Sequence, residues 1–189
     1  LVKNLMIQTN LIDTAYQSGV RKLLFLGSSC VMPRAAAQPM KEEYLLTGPL
    51  EETNEWYAIA KIAGIKMCQS YRRQYGFNAI SAMPPNLFGI DDNFDLDTSH
   101  VPAALIRKMH DAKTIGHKEV VIWGTGKPRR EFMFADDMAD ACIFLMKNYN
   151  REEFVNVGVG TEISIADFAR LVAKVVGYNG RFVFDPKHP

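Results

Sequence analysis

Tyr57 and Lys61 stand four residues apart in the run Glu-Trp-Tyr-Ala-Ile-Ala-Lys, which begins at residue 55. On a helix this spacing places both side chains on one face, about one turn apart. An ammonium beside a phenol favours the phenolate and lowers the phenol pKa from its ordinary value of about 10. The pair therefore predicts a proton donor for a carbonyl under reduction, although the spacing alone also fits an amphipathic helix with an exposed lysine.

A small polar cluster, Gly27-Ser28-Ser29-Cys30, follows the apolar run from Lys22 to Leu26. The cluster adds a serine to the tyrosine and the lysine. Together these three residue types are the Ser, Tyr and Lys set of a nicotinamide-dependent reductase. The prediction of a reductase rests on the occurrence of Ser28 together with Tyr57 and Lys61, and not on the spacing of Tyr57 and Lys61 alone.

Composition restricts the class of ligand. The chain has 189 residues with 48% hydrophobic content, which is enough to bury a core without a metal or a disulfide. Its 22 basic and 21 acidic residues give a net charge of +1 without any block of like charge, so neither nucleic acid nor an anionic membrane is predicted as a partner. Three scattered cysteines and the absence of an apolar run of about 20 residues favour a reducing, cytoplasmic location.

The elements that position the catalytic pair alternate between helix and strand. Residues 1–18 and 55–75 are predicted as helices, 22–26 as a fully buried strand and 79–83 as the next strand, with a long polar loop over 27–55. Asn54 is predicted to cap the second helix and Gly76 to end it. This alternation predicts an α/β fold with a parallel sheet.

A change of sequence character at Pro84 marks a second part of the chain. Here helices are predicted near 101–112 and over 136–147, and strands over 120–123, 131–134, 154–157 and 181–184. Ser164 is predicted to cap a further helix that stops at Gly177. We therefore predict two domains, residues 1–90 and residues 91–189, and expect elements around 120–150 to return to the first domain.

The Gly-rich turn that holds a pyrophosphate in a nucleotide-binding domain does not occur in the sequence. Gly124-x-Gly126 and Gly158-x-Gly160 are the close glycine pairs, and both are predicted as ordinary tight turns. The catalytic residues are thus present without the cofactor cradle. We expect the chain to begin and end inside a larger fold and not to bind the cofactor alone.

Nine short motifs carry a family resemblance over nearly the whole chain. They are Leu26-Gly27-Ser28-Ser29-Cys30, Gln38-Pro39-Met40, Thr53-Asn54-Glu55, Tyr57–Gly64, Asp92-Asn93-Phe94, Ser99-His100-Val101, Val121–Gly124, Arg130-Glu131-Phe132 and Asn156-Val157-Gly158. On these residues the sequence resembles the extended short-chain dehydrogenase/reductases, and within them the GDP-L-fucose synthase branch. The resemblance implies the C-terminal half of an NADP-binding, Rossmann-like doubly wound domain over 1–90. For 91–189 it implies a smaller α/β part that binds a GDP-sugar.

The resemblance also implies a catalytic set for epimerisation at C3 and C5 of GDP-4-keto-6-deoxy-D-mannose, followed by NADPH-dependent reduction at C4. Tyr57 would protonate the C4 oxygen, Ser28 would hydrogen-bond the same oxygen, and Lys61 would bind the nicotinamide ribose and lower the Tyr57 pKa. Cys30 and His100 would be the base and the acid of the epimerisation. Thiols and imidazoles ordinarily titrate near 8.5 and 6.5, which suits both roles, and the assignment between the two residues stays open.

Further positions are implied to contact the two ligands. The cofactor would be lined by Leu26, Gly27, Ser28, Ser29, Tyr57, Lys61, Pro84, Pro85, Asn86, Leu87 and His100. The substrate would be contacted by Lys108, Trp123 and Arg130, of which Lys108 replaces an arginine of the family. No metal is implied.

The resemblance further implies a homodimer through the helices at 1–18 and 55–75. Two alternatives stay open. One is another NAD(P)-dependent sugar-nucleotide epimerase or dehydratase on the same scaffold, which would not need both Cys30 and His100. The other is a non-catalytic nucleotide-sensing module that lacks the cofactor loop.

Overall fold

The computed structural model describes residues 1–187, and its parallel strands alternating with helices confirm the predicted α/β class. In chain order the elements are α1 (Val2–Gln17), β1 (Lys22–Leu26), α2 (Glu55–Tyr75), β2 (Asn78–Met83), β3 (Asn86–Phe88), α3 (Val101–Ile115), β4 (Glu119–Trp123), β5 (Arg129–Arg130), β6 (Phe132–Phe134), α4 (Ala135–Asn148), β7 (Val155–Asn156), β8 (Ile163–Ser164), α5 (Ile165–Val176) and β9 (Arg181–Asp185).

The chain divides into two compact units. The first comprises Leu1–Pro85 and Asp136–Gly158, and the second comprises Asn86–Ala135 and the chain from Val159 onward. The division after residue 85 lies close to the expected one after residue 90. The segment that returns to the first unit is Asp136–Gly158, whereas the sequence placed a return around 120–150.

A parallel three-stranded sheet in the order β1, β2, β7 forms the centre of the first unit. Helix α2 packs against β2 and β1, and α1 packs against α2. Gly76 ends α2 in the left-handed conformation, as the sequence predicts, because only a residue without Cβ adopts this conformation at little cost. Asn54 occupies the N-cap position, but its side chain makes no capping hydrogen bond, contrary to the prediction.

Polar contacts fix α1 on α2. The buried Gln8 donates from Nε2 to the carbonyl oxygen of Ala60 at 2.6 Å, and the Tyr71 hydroxyl donates to Asp13 Oδ1 at 2.7 Å. A buried amide without a partner is costly, so the Gln8 contact helps to define the register between the two helices. Tyr57 and Lys61 lie on α2, so the contacts between α1 and α2 also help to hold these two residues in place.

Strand β1 is not fully buried, contrary to the prediction. Phe25 is its one buried side chain, whereas Lys22, Leu23 and Leu24 are half-buried and Leu26 is exposed. The apolar run suggested burial on both faces. Within the described residues, however, β1 pairs along one edge only, with β2, and three of its five side chains remain half-buried.

The long loop between β1 and α2 contains two short 3₁₀ helices, Ser29–Val31 and Glu42–Tyr44. Asn156 at the end of β7 anchors this loop. Its backbone N–H donates to Glu42 Oε1 at 2.8 Å, and its Nδ2 donates to the Met40 carbonyl oxygen at 2.9 Å. The motifs around Met40 and Asn156 that the sequence singled out therefore meet each other in the fold.

The second unit contains three two-stranded sheets. Strands β3 and β6 are parallel, β4 and β9 are parallel, and β5 and β8 are antiparallel. Its core, beneath α3 and α5, includes Met109, Ile122 and Phe168. Ser164 Oγ accepts a hydrogen bond from the backbone N–H of Asp167 and caps α5, which confirms that prediction.

Three details of the second unit differ from the sequence prediction. Helix α3 continues to Ile115, strands β3, β5 and β8 were not predicted, and β6 begins at Phe132 although the predicted strand began at Glu131. Short strands of two or three residues carry too little periodicity to be seen in sequence. In the described part of the chain, no helix combines the length and the apolar character that a membrane crossing requires.

Candidate active site

The candidate site begins where two parallel strands end side by side. Leu26 of β1 pairs with Ala82 of β2, and the backbone N–H of Gly27 donates to the Ala82 carbonyl oxygen at 2.8 Å. Gly27 and Ser28 therefore follow the end of β1, while Met83 is the last residue of β2 and Pro84 follows it. In open α/β sheets, ligands bind in the crevice outside the carboxyl ends of the strands.

Met83 holds the backbone at this edge of the sheet. Its sulfur accepts a hydrogen bond from the Ser28 backbone N–H at 3.0 Å. A Cβ at residue 27 would lie 2.8 Å from the same sulfur, so Gly27 is the residue that admits the Met83 side chain. This contact holds the backbone of Ser28 independently of the hydrogen bonds that the Ser28 hydroxyl makes.

The Ser28 hydroxyl connects the loop to α2. It accepts a hydrogen bond from the Cys30 backbone N–H at 3.4 Å and thereby begins the first 3₁₀ helix, and it also hydrogen-bonds the Tyr57 phenol. Cys30 is half-buried and lies close enough for its charge to act on the Tyr57 pKa. Ser28, Cys30 and Tyr57 thus form one cluster.

Burial raises the Tyr57 pKa above its ordinary value, the Ser28 hydrogen bond opposes this rise, and the charge of Cys30 adds to it. The sequence predicted that Lys61 lowers the Tyr57 pKa, and this prediction is wrong. The Lys61 ammonium nitrogen lies 5.8 Å from the centroid of the Tyr57 ring, over the face of the ring, and makes no hydrogen bond with the phenol oxygen. Desolvation therefore dominates, and the phenol stays protonated at neutral pH.

Lys61 reaches from α2 down to the end of β1. Its Nζ donates to the Leu26 carbonyl oxygen at 2.9 Å and lies 5.0 Å from the centroid of the Phe25 ring. Burial lowers its pKa. One of three N–H groups is used by Leu26, which leaves two donors for the hydroxyls of a ligand at the strand end.

The remaining predicted site residues of the catalytic and substrate sets lie in the second unit. His100 is exposed and is the N-cap of α3, where its carbonyl oxygen accepts from the Ala104 N–H. The Lys108 ammonium lies 4.7 Å from the ring centroid of Trp123 and donates to the Val121 carbonyl oxygen at 3.3 Å. The structure therefore brings Lys108 and Trp123 together in the second unit, as it brings Ser28, Cys30, Tyr57 and Lys61 together in the first.

Arg130 is exposed on β5, where its Nη1 donates to the Arg129 carbonyl oxygen at 2.8 Å. The predicted cofactor residues divide between the units: Pro84 and Pro85 lie in the first, and Asn86 and Leu87 lie on β3 of the second. Gly124 and Gly126 adopt positive φ in the turn after β4, as expected of an ordinary tight turn.

The sequence analysis assigned no role to three residues that support the cluster, Met83, Phe25 and Gly64, although Gly64 ends one of its nine motifs. Gly64 gave the clearest signal, because a glycine inside a long helix costs about 1 kcal/mol relative to alanine and usually has a packing reason. A Cβ at residue 64 would lie 2.3 Å from Cζ of Phe25. No sequence pattern marks Met83 or Phe25 as more than core residues.

Comparison with known proteins gives a consistent result. A sequence profile of the NAD dependent epimerase/dehydratase family matches residues 1–158. A probable GDP-L-fucose synthase 1 from Oryza sativa subsp. japonica is 60% identical over the whole of this chain. The chain spans 58% of the length of that relative.

Solved structures agree with the profile. A GDP-L-fucose synthetase from Naegleria fowleri bound to NADP superposes with a TM-score of 0.91 at 32% identity, over 98% of this chain and 60% of that one. A GDP-6-OMe-4-keto-L-xylo-heptose reductase from C. jejuni also gives a TM-score of 0.91, at 38% identity, over 98% of this chain and 65% of that one.

Proposed function

Because the chain belongs to the NAD dependent epimerase/dehydratase family, we propose that its protein converts GDP-4-keto-6-deoxy-D-mannose into GDP-L-fucose. The conversion inverts C3 and C5 of the sugar and then reduces the C4 ketone with NADPH. The relative from rice is named a probable GDP-L-fucose synthase, and the 60% identity to it extends over the whole chain.

The observation that carries the proposal is the position of a thiol within electrostatic reach of the proposed proton donor. Ser28 hydrogen-bonds Tyr57, and Cys30 lies within electrostatic reach of the same phenol. Reduction of a ketone needs a proton donor but no thiol. A thiol beside that donor is suited to remove a proton from the carbon next to the ketone, because the ketone acidifies that position.

The residues present fit an NADPH molecule at the carboxyl edge of the sheet. Leu26, Gly27, Ser28 and Ser29 follow β1, Pro84 and Pro85 follow β2, and Lys61 keeps two N–H donors for ribose hydroxyls. Neither proline has a backbone N–H, and Pro84 is buried whereas Pro85 is half-buried. When bound, NADPH supplies a hydride to the C4 carbon. We assign Asn86, Leu87 and His100 of the second unit to the same cofactor.

Tyr57 carries the proton in the reductive step. Its raised pKa keeps the phenol protonated at neutral pH, so it is ready to donate to the C4 oxygen as negative charge develops there. Ser28 hydrogen-bonds Tyr57 and is able to donate to the same oxygen. The Lys61 ammonium lies over the Tyr57 ring, and its role in this step is to hold the nicotinamide ribose through its two remaining N–H donors.

Cys30 and His100 carry the protons of the epimerisation. One removes the proton at C3 or C5 and the other returns a proton to the opposite face, so that no net proton or electron is gained. Lys108, Trp123 and Arg130 supply the contacts to the GDP moiety. Trp123 offers a ring face beside a cation, and the exposed Arg130 guanidinium suits a phosphate.

The experiment that tests this function follows the sugar through the reaction. The complete polypeptide that carries this chain is incubated with NADPH and GDP-4-keto-6-deoxy-D-mannose, and the product is identified by NMR. We expect GDP-L-fucose and one NADPH consumed per product. A product that is reduced at C4 but keeps its C3 and C5 configuration would favour a simple 4-reductase, and an unchanged substrate would contradict both assignments.

We further propose a homodimer through α1 and α2, in a cytoplasmic protein whose three cysteines are free thiols. Helix α1 exposes large apolar side chains at Val2, Met6, Ile7 and Leu11. Exposed apolar surface of this kind marks an interaction site more often than a solvated face. Trp56 and Ile59 extend the apolar surface onto α2.

Ile7→Asp tests the dimer. A carboxylate buried between two apolar helices has no partner there, so we expect the mass measured by light scattering at micromolar concentration to fall to that of a monomer. Val175→Asp is the control, because Val175 is also exposed, at 79%, but lies on α5. A mass that both variants leave unchanged, or a monomeric parent protein, would contradict this interface.

A further inference from the structure

The aromatic ring of Phe25 lies between two groups of α2. Its centroid is 5.0 Å from the Lys61 ammonium nitrogen, and its outer edge reaches the helix backbone at Gly64. Phe25 is 7% exposed and belongs to the core of the first unit. The ring therefore connects the packed core to the charged group of the candidate site.

Gly64 is the residue that lets the ring approach. A Cβ placed there would lie 2.3, 2.8 and 2.9 Å from Cζ, Cε1 and Cε2 of Phe25. All three distances are shorter than a side chain tolerates, and Phe25 has no room to move aside in a packed core. The conformation of α2 at Gly64 is helical, so the reason for the glycine is space and not backbone conformation.

The ring and a carbonyl oxygen together fix the Lys61 ammonium. Lysine has a flexible four-carbon stem, and one hydrogen bond, to Leu26, leaves the ammonium free to swing about that oxygen. An aromatic face attracts a cation and gives it a second fixed contact. The same position keeps the ammonium over the Tyr57 ring, 5.8 Å from its centroid.

We propose that Phe25 is a positioning residue for the Lys61 ammonium and that Gly64 is glycine because the ring needs its space. The inference rests on the proposed roles of Lys61 and Tyr57 in C4 reduction and adds two residues that act through Lys61. Phe25 is buried, and its proposed role is to act through the Lys61 ammonium and not on a reactant. Its face favours the charged ammonium, whereas burial disfavours it and lowers the Lys61 pKa.

Phe25→Leu separates these two effects. Leucine keeps the site dry but removes the aromatic face, so the ammonium loses a stabilising contact while the burial that disfavours it remains. We expect the Lys61 pKa to fall by about half to one unit, measured by NMR titration of ¹³C-labelled lysine and assigned with Lys61→Met. The kcat of C4 reduction should fall roughly tenfold with little change in the KM of the GDP-sugar.

Gly64→Ala should act in the same direction, because the new methyl group displaces the ring. In the double variant the shorter leucine no longer reaches residue 64, so adding Gly64→Ala to Phe25→Leu should cost less than twofold. Leu23→Ala is the matched control. Leu23 lies on β1 and packs on the same core, so its truncation should lower stability without moving the Lys61 titration.

An unchanged Lys61 titration in Phe25→Leu overturns the proposal whatever the activity. Strictly additive effects of Phe25→Leu and Gly64→Ala overturn the role given to Gly64. A shifted titration in a protein that reduces no GDP-sugar leaves Phe25 as a positioning residue and contradicts the proposed function instead.

Discussion

Tyr57→Phe should reduce the rate of C4 reduction by about 10²- to 10⁴-fold, the range that a positioned proton donor contributes. The substitution removes one hydroxyl and keeps the ring beneath the Lys61 ammonium, so the packing of α2 is retained. Epimerisation should continue at the parental rate within about threefold, because Tyr57 is not the group that moves protons at C3 and C5. The epimerised ketone should therefore accumulate when NADPH is present.

Tyr75→Phe is the matched control for this variant. Tyr75 lies on the same helix, is exposed, and stacks on Tyr16 through its ring, which phenylalanine preserves. We expect parental rates for both steps. Tyr57 would not be the proton donor of the reductive step if Tyr57→Phe kept more than a tenth of the parental reduction rate, measured as NADPH oxidation under saturating substrate.

Cys30→Ser should block inversion at C3 and C5 by about 10²- to 10⁴-fold while sparing reduction. A serine hydroxyl is nearly the size of a thiol but is far less acidic, so it fails as an acid or a base near neutral pH. The Tyr57 and Lys61 contacts do not involve the sulfur. With NADPH the variant should yield a GDP-6-deoxyhexose that keeps the C3 and C5 configuration of the substrate.

Cys142→Ser controls for the loss of a thiol as such. Cys142 is half-buried, like Cys30, but lies on α4. Its variant should form GDP-L-fucose at the parental rate. The configuration at C3 and C5 is read from the coupling constants of the product. If Cys30→Ser still inverted both carbons fully, Cys30 would have no role in the epimerisation.

Much of the fold follows from local sequence signals. Helix α2 and strand β1 have the bounds that the pattern predicts, because a long periodic run ending at Gly76 and a short apolar run are strong signals. Strand β3 was not predicted. Its three residues pair with Phe132–Phe134, about 45 positions later in the chain, and no local pattern reports such a pairing.

The sequence named candidate site residues but not the way in which their charged groups are arranged. Sequence spacing placed Tyr57 and Lys61 on one face, and the structure adds Ser28 and Cys30 to their neighbourhood. Sequence could not foresee that the ammonium lies over the ring and not at the phenol oxygen, because the Leu26 carbonyl oxygen and the Phe25 ring determine its position. Burial is the largest cause of the rise in the Tyr57 pKa, and the Lys61 ammonium does not reverse it.

Isotope exchange without reductant tests the central claim most directly. The complete polypeptide is incubated with GDP-4-keto-6-deoxy-D-mannose in deuterated water without NADPH, and the signals of the protons on C3 and C5 are followed by NMR. Removal and return of these protons needs no hydride, so we predict deuterium at both carbons, and its loss in Cys30→Ser. Substrate that keeps both protons in the parental protein would contradict the assignment of epimerase chemistry to this site.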